Sequence, residues 1–99
     1  MQLERTPTGR VELRLSKDPD EFRSLAGTVK KMLNGRWKTQ ADGLDQSYWD
    51  LEVDGITITV HREHYLGVSV ICDMDEAKVR LLERLKVAFE ADELLKDRV

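Results

Sequence analysis

The chain is poor in cysteine: Cys72 is the only one among 99 residues. A single thiol excludes an intramolecular disulfide and any zinc site built from four cysteines, and it suits a reducing compartment. Long apolar runs are also missing. No stretch approaches the roughly 18 to 20 apolar residues that cross a bilayer, and the N-terminal MQLERTPTGR holds no apolar segment of the signal-peptide kind. A cytoplasmic protein without membrane contact is therefore expected. There is no internal repeat, low-complexity tract or linker. Also absent are a G-x-S-x-G elbow, a Walker loop, an H-E-x-x-H pair and a dinucleotide glycine pattern. No catalytic machinery or cofactor is expected from these routes.

What is present is the composition of a folded chain. Forty per cent of the residues are hydrophobic and 35% charged, enough apolar surface to offset the entropy of ordering. The length suits one core, so one α+β domain over residues 1–99 is expected, with loose ends at 1–8 and 95–99. The net charge of −3 hides an asymmetry. Residues 1–40 carry nine Lys and Arg against five Asp and Glu, whereas residues 41–99 carry seven against fourteen. Such a division steers a charged partner only if folding keeps it segregated.

RVELRL, residues 10–15, alternates strictly, with Val11, Leu13 and Leu15 on one side, as a half-buried strand does. Asp18, Pro19 and Glu21 then form a helix-start pattern. Phe22, Leu25, Ala26, Val29, Met32 and Leu33 trace one helical stripe up to the Asn34-Gly35 stop, so a helix is expected over about 19–33. A short edge strand around Trp37 and a loop should follow.

The sharpest signal is SYWDLEVDGITITVHRE. Trp49, Leu51 and Val53 alternate toward Asp54-Gly55, a type I′ turn pair, and Ile56, Ile58 and Val60 alternate after it. That register sets Tyr48 opposite His61 and Asp50 opposite Thr59. A third strand, LGVSVIC, should place Val68 opposite Val60 and Thr59 opposite Ser69, with Glu63, His64 and Tyr65 as the loop. Asp73 and Glu76 suggest the cap of a second helix, from about 74 to the low nineties, with Val79, Leu81, Leu82, Leu85, Ala88 and Phe89 facing the core. The expected order is β-α-(β)-β-β-β-α: an antiparallel sheet of four to five strands with two helices packed on one face.

HREHY, residues 61–65, concentrates polar chemistry at the end of a hairpin. As a metal site it is incomplete, because His61 closes a strand while His64 lies in a turn and their side chains need not converge. As an acid–base site it would combine His61 with Tyr48, Asp50 and Glu63 on one sheet face, since histidine titrates near neutral pH. The simplest account is a solvated sheet face opposite the helices. Lys30, Lys31, Arg36 and Lys38 surround Trp37, but an acidic chain without exposed aromatic pairs on its sheet does not suit nucleic acid. Cys72 reads as buried packing.

These patterns support binding to a protein partner, or self-association, through the uncovered sheet face or an edge strand. The contact candidates are Tyr48, Asp50, His61, Glu63, Tyr65 and Ile71, with Ile71 expected to be an exposed apolar residue beside the aromatics. Two other classes remain. One is an acidic inhibitor of the immunity-protein or antitoxin type, masking a basic partner with Asp42, Asp45, Asp50 and Glu52. The other is a small enzyme built around His61.

Overall fold

The alternating segments pair into a single sheet, and the helical stripes lie on its apolar side. The computed structural model describes residues 1–96. Its strands are β1 (Leu3–Arg5), β2 (Arg10–Ser16), β3 (Arg36–Asp42), β4 (Gln46–Val53), β5 (Ile56–Glu63) and β6 (Gly67–Asp73). A 3-10 turn, Pro19–Glu21, leads into helix α1 (Phe22–Leu33), and helix α2 spans Glu76–Lys96. The six strands are antiparallel in the order β1-β2-β6-β5-β4-β3. Strands β3 to β6 form a meander, and β2 closes beside β6 across most of the chain. Among the described residues no helix is long and apolar enough to cross a membrane.

One core joins the inward rows of the strands to both helices. Leu13, Leu51, Ile58, Val60, Val68 and Val70 meet Phe22, Ala26 and Val29 from α1 and Leu82, Leu85 and Phe89 from α2. Each of these side chains larger than alanine contributes about 1.5–3 kcal/mol on full burial, which is what holds two helices on the sheet. The β4–β5 register follows from its turn: Asp54 and Gly55 have φ of 51° and 79°, the two positive values of a type I′ turn, and Val53, Leu51 and Trp49 face Ile56, Ile58 and Val60. Helix α1 ends at Asn34, whose left-handed backbone donates its N–H to the carbonyls of Lys30 and Lys31.

Several expectations need correction. The sheet has six strands rather than four to five, because Leu3–Arg5, where a loose end was expected, pairs with β2, and Leu3 packs against the core. A single apolar residue in a charged stretch gave no alternation to read. Strand β3 runs for seven residues, with a bulge between Trp37 and Thr39 that breaks its period. Strand β6 is shifted two residues from the expected register: Val60 faces Val70, and Thr59 faces Ile71 rather than Ser69. The loop is therefore His64–Leu66. A shift of two preserves the faces, which is why the core residues are still those the alternation indicates.

Helix α1 begins with a 3-10 turn in which the Asp18 side chain accepts from the Asp20 N–H, in place of a capping box with Glu21. Helix α2 is capped by Asp75, not Asp73: the Asp75 carboxylate accepts from the Lys78 N–H at 3.1 Å. It also continues through Leu95 and Lys96, where an unstructured end was expected; residues 97–99 of that end lie outside the described residues.

Cys72 is buried on the core side, and desolvation pushes its thiol up to about 11. The thiol is therefore protonated at neutral pH. Native protein should react with a water-soluble aromatic disulfide at least about a hundredfold more slowly than urea-unfolded protein, as read by released thiolate absorbance. Equal rates would place Cys72 at the surface.

Candidate binding face

Because β-strand side chains alternate, burying one row beneath the helices puts the other on the opposite side of the sheet. Across that side two rows cross the strands. Glu12, Ile71, Thr59, Asp50 and Thr39 are successive register partners, and so are Arg14, Ser69, His61, Tyr48 and Ala41. The β2–β6 pairing thus brings the charged side of RVELRL alongside the His61 row.

At the centre Tyr48 and His61 stack, with ring centroids 4.5 Å apart and planes 14° from parallel. Gln46 ties the two together: its Oε1 accepts from Tyr48 Oη and lies 3.1 Å from His61 Nε2. A carbonyl oxygen only accepts, so Nε2 carries the proton and Nδ1 keeps the lone pair. Burial pushes the pKa of His61 below its ordinary 6.5, against the opposing pull of Glu63 and Glu12. The ring is neutral at pH 7. Gln46 has no titrating proton, so this Tyr–Gln–His chain fixes orientation and does not link the imidazole to a carboxylate.

Because the folded-state pKa lies below the unfolded one, the unfolded chain takes up the proton first as pH falls. His61 therefore leaves stability at its full value above pH 6.5 and reduces it as pH falls from there through the folded-state pKa. The urea midpoint of the wild type should fall more between pH 7.5 and 5.5 than that of His61→Gln. Parallel midpoint curves for the two proteins would show that His61 titrates freely.

Two depressions mark the face. One, of about 170 Å³, is lined by Arg10, Glu12, Arg14, His61, Glu63, Ser69 and Ile71 among others. The second, of about 310 Å³, includes Arg10, Tyr48, Asp50, Thr59, Ile71 and Lys78. They meet at Arg10 and Ile71. The expected exposed Ile71 is a correction: it points away from the helices, yet it is only 9% exposed and stands apart from the helix-covered core. Its register partner on β2 is Glu12, which with Arg10 lines the same depression.

The other candidates divide. Asp50 faces the same side but is occupied, accepting from the Thr59 hydroxyl at 2.7 Å. Glu63 lies at the rim of the first depression. Tyr65 does not join the group: it sits in the β5–β6 turn, 83% exposed, edge-on to His64. His61 and His64 are held by different neighbours, and among the described residues no three His, Cys, Asp or Glu side chains gather as metal ligands.

The acidic set is dispersed, and three of its four members, Asp42, Asp50 and Glu52, already hold side-chain partners. Glu52 pairs with Arg36 at 3.1 Å on the open face. Asp42 accepts from the Trp49 indole on the helix side, and hydrogen bonds from Ser47 and Trp49 hold its carboxyl below the usual range. Trp37 packs edge-on against Trp49 at 5.3 Å and is half-buried. Arg10, Glu12, Arg14, Gln46 and Ser69 were not among the expected site residues. Alternation marked the first three as outward, but only the pairing of β2 with β6, distant in sequence, places them beside His61. No known protein family, curated protein or solved structure matches the chain.

Proposed function

We propose that the domain binds another protein through the helix-free face of its sheet, with Tyr48, His61 and Ile71 at the centre and Arg10, Arg14 and Glu63 around them. The observation that carries this reading is the place of Ile71: a buried apolar residue that lines two adjoining depressions among charged and polar side chains and is not part of the core cluster beneath the helices. An apolar centre within a polar rim is the anatomy of a protein interface, and Tyr and Arg are the side chains most often dominant in one. A plain solvated face has no need of a buried isoleucine or of an aromatic stack held by a third side chain.

The edges of the sheet are less suited to the task. Strand β1 is three residues long, and β3 carries a bulge and Lys38, both devices that discourage strand addition. Photo-crosslinking residues placed at Tyr48 and at Glu63 in living cells provide the test. A discrete protein adduct should form from both, at least about tenfold more abundant than from Lys31 on the helix side, and should be suppressed by Arg10→Glu. Adducts formed equally from Lys31, or none from the sheet positions, would remove the reading.

A further inference from the structure

Ser69 is only 6% exposed, yet among the described residues its hydroxyl makes no hydrogen bond. No fully sealed side-chain oxygen or nitrogen among them lacks a partner, so the Ser69 oxygen opens into the depression of about 170 Å³ that Ser69 lines. An enclosed hydroxyl left unmatched favours a ligand that brings the missing partner. The row crossing the helix-free face explains the hollow. Arg14, Ser69, His61 and Tyr48 are successive register partners on β2, β6, β5 and β4. Neighbouring strands lie about 4.8 Å apart, so the long side chains of Arg14 and His61 rise from strands roughly 10 Å apart with only a serine between them.

The lining indicates what the hollow takes. Tyr48 covers the β4 side of the His61 ring, which turns the other face of the imidazole toward β6 and the hollow. Gln46 holds the ring in that orientation. Beyond the serine the Arg14 guanidinium is occupied, donating to the Leu66 carbonyl and lying 3.6 Å from Glu12. Arg10 and Glu63 complete the charged lining, and Ile71 adds an apolar side. With His61 neutral at pH 7, two arginines face two glutamates, a balance that favours neither an anion nor a cation. The volume is on the scale of the roughly 150 Å³ that admits a benzene ring, which leaves room for one arene.

We propose that the hollow over Ser69 receives a tyrosine side chain of the partner protein, its ring on the free face of His61 and its hydroxyl at the Ser69 hydroxyl. The proposal rests on the protein-binding reading above and names the anchor by which that partner is held. Other side chains meet only part of the lining. Leucine leaves the Ser69 hydroxyl unmatched, asparagine matches it without a ring to stack, and arginine stacks but meets Arg10 and Arg14.

N-acetyl-tyrosinamide titrated into the isotope-labelled full chain tests this by NMR. The backbone amides of His61, Ser69 and Ile71 should shift saturably with a dissociation constant on the order of 1 mM, and the His61 ring protons should move upfield beneath the added ring. N-acetyl-phenylalaninamide, which lacks the hydroxyl, should bind at least about threefold more weakly, and N-acetyl-leucinamide at least about tenfold. Ser69→Leu fills the hollow and should weaken the tyrosine amide at least about tenfold. Ser69→Thr, one methyl group larger, repeats the test should Ser69→Leu alter the circular dichroism, with a loss of at least about threefold. Shifts that do not saturate by about 30 mM overturn the proposal, as do equal affinities for the three amides or binding indifferent to both Ser69 variants. The crosslinking from Tyr48 and Glu63 is read separately. Adducts without amide binding would remove the tyrosine anchor and keep the protein-binding reading, whereas amide binding without adducts would remove the partner protein as the source of the ring.

Discussion

Gly67→Ala should cost about 3–5 kcal/mol of folding free energy, measured by urea unfolding with tryptophan fluorescence as the signal. Gly67 opens β6 with φ of 102°, a backbone conformation that L side chains rarely adopt. A Cβ there would stand 2.1 Å from the carbonyl oxygen of Ser16 and 2.7 Å from two backbone atoms of Lys17. These are main-chain atoms, so no rotamer relieves the clash. They come this close because the register of β2 shifts between Arg14 and Ser16, where it runs beside β6. Gly35 and Gly27 separate this effect from the general cost of losing glycine. At Gly35 the added carbon meets the Leu51 side chain at 2.8 Å, which can yield in part, so about 1–2 kcal/mol is expected. At Gly27, in helix α1 with nothing within 4 Å, alanine should stabilise by about 0.5–1 kcal/mol through helix propensity. A Gly67→Ala loss below that of Gly35→Ala would mean that β2 and β6 do not approach as described.

The same β2–β6 contact separates what could be read in the sequence from what could not. Local signals carried the β4–β5 hairpin down to individual pairs, because Asp54-Gly55 restricts the turn and a turn restricts the register. Tyr48 opposite His61 was therefore legible. The β5–β6 register was not, since three-residue loops at Glu63–Tyr65 and at His64–Leu66 differ by a slip of two, and apolar alternation is blind to even slips. The candidate site inherits this division. Its Tyr–His centre comes from neighbouring strands, whereas its Arg10, Glu12 and Arg14 wall depends on a pairing of residues roughly sixty apart, which no local pattern encodes. Ile71 illustrates the consequence: alternation gave its direction correctly, but its place beside Glu12 follows only from the β2–β6 pairing. In α2 the apolar residues that face the core were legible, while Val87, Leu94 and Leu95 on the other side of the helix received no role.

Trp49→Ala tests the assignment of faces on which both the core and the binding surface depend. Trp49 is 8% exposed and lies between Phe22, edge-on at 4.8 Å, and Trp37, edge-on at 5.3 Å, with the Arg23 guanidinium 5.5 Å from its ring centre. Removing a buried tryptophan typically costs about 3–5 kcal/mol. The upper part of that range is expected, because two aromatic pairs, each worth about 0.5–1.5 kcal/mol, are lost together. The indole N–H also donates to Asp42 at 2.8 Å, joining the end of β3 to β4. Trp49→Phe keeps the ring contacts and loses only this donor, so it should retain most of the stability. On the opposite side of the sheet, His61→Ala should change stability by less than about 1 kcal/mol, since a partly solvated stacked ring is exchanged for water. Chemical denaturation of the three variants gives the ranking directly. If His61→Ala proved the costlier substitution, the row containing Tyr48 and His61 would be the core, and the helix-free face would lie on the other side of the sheet.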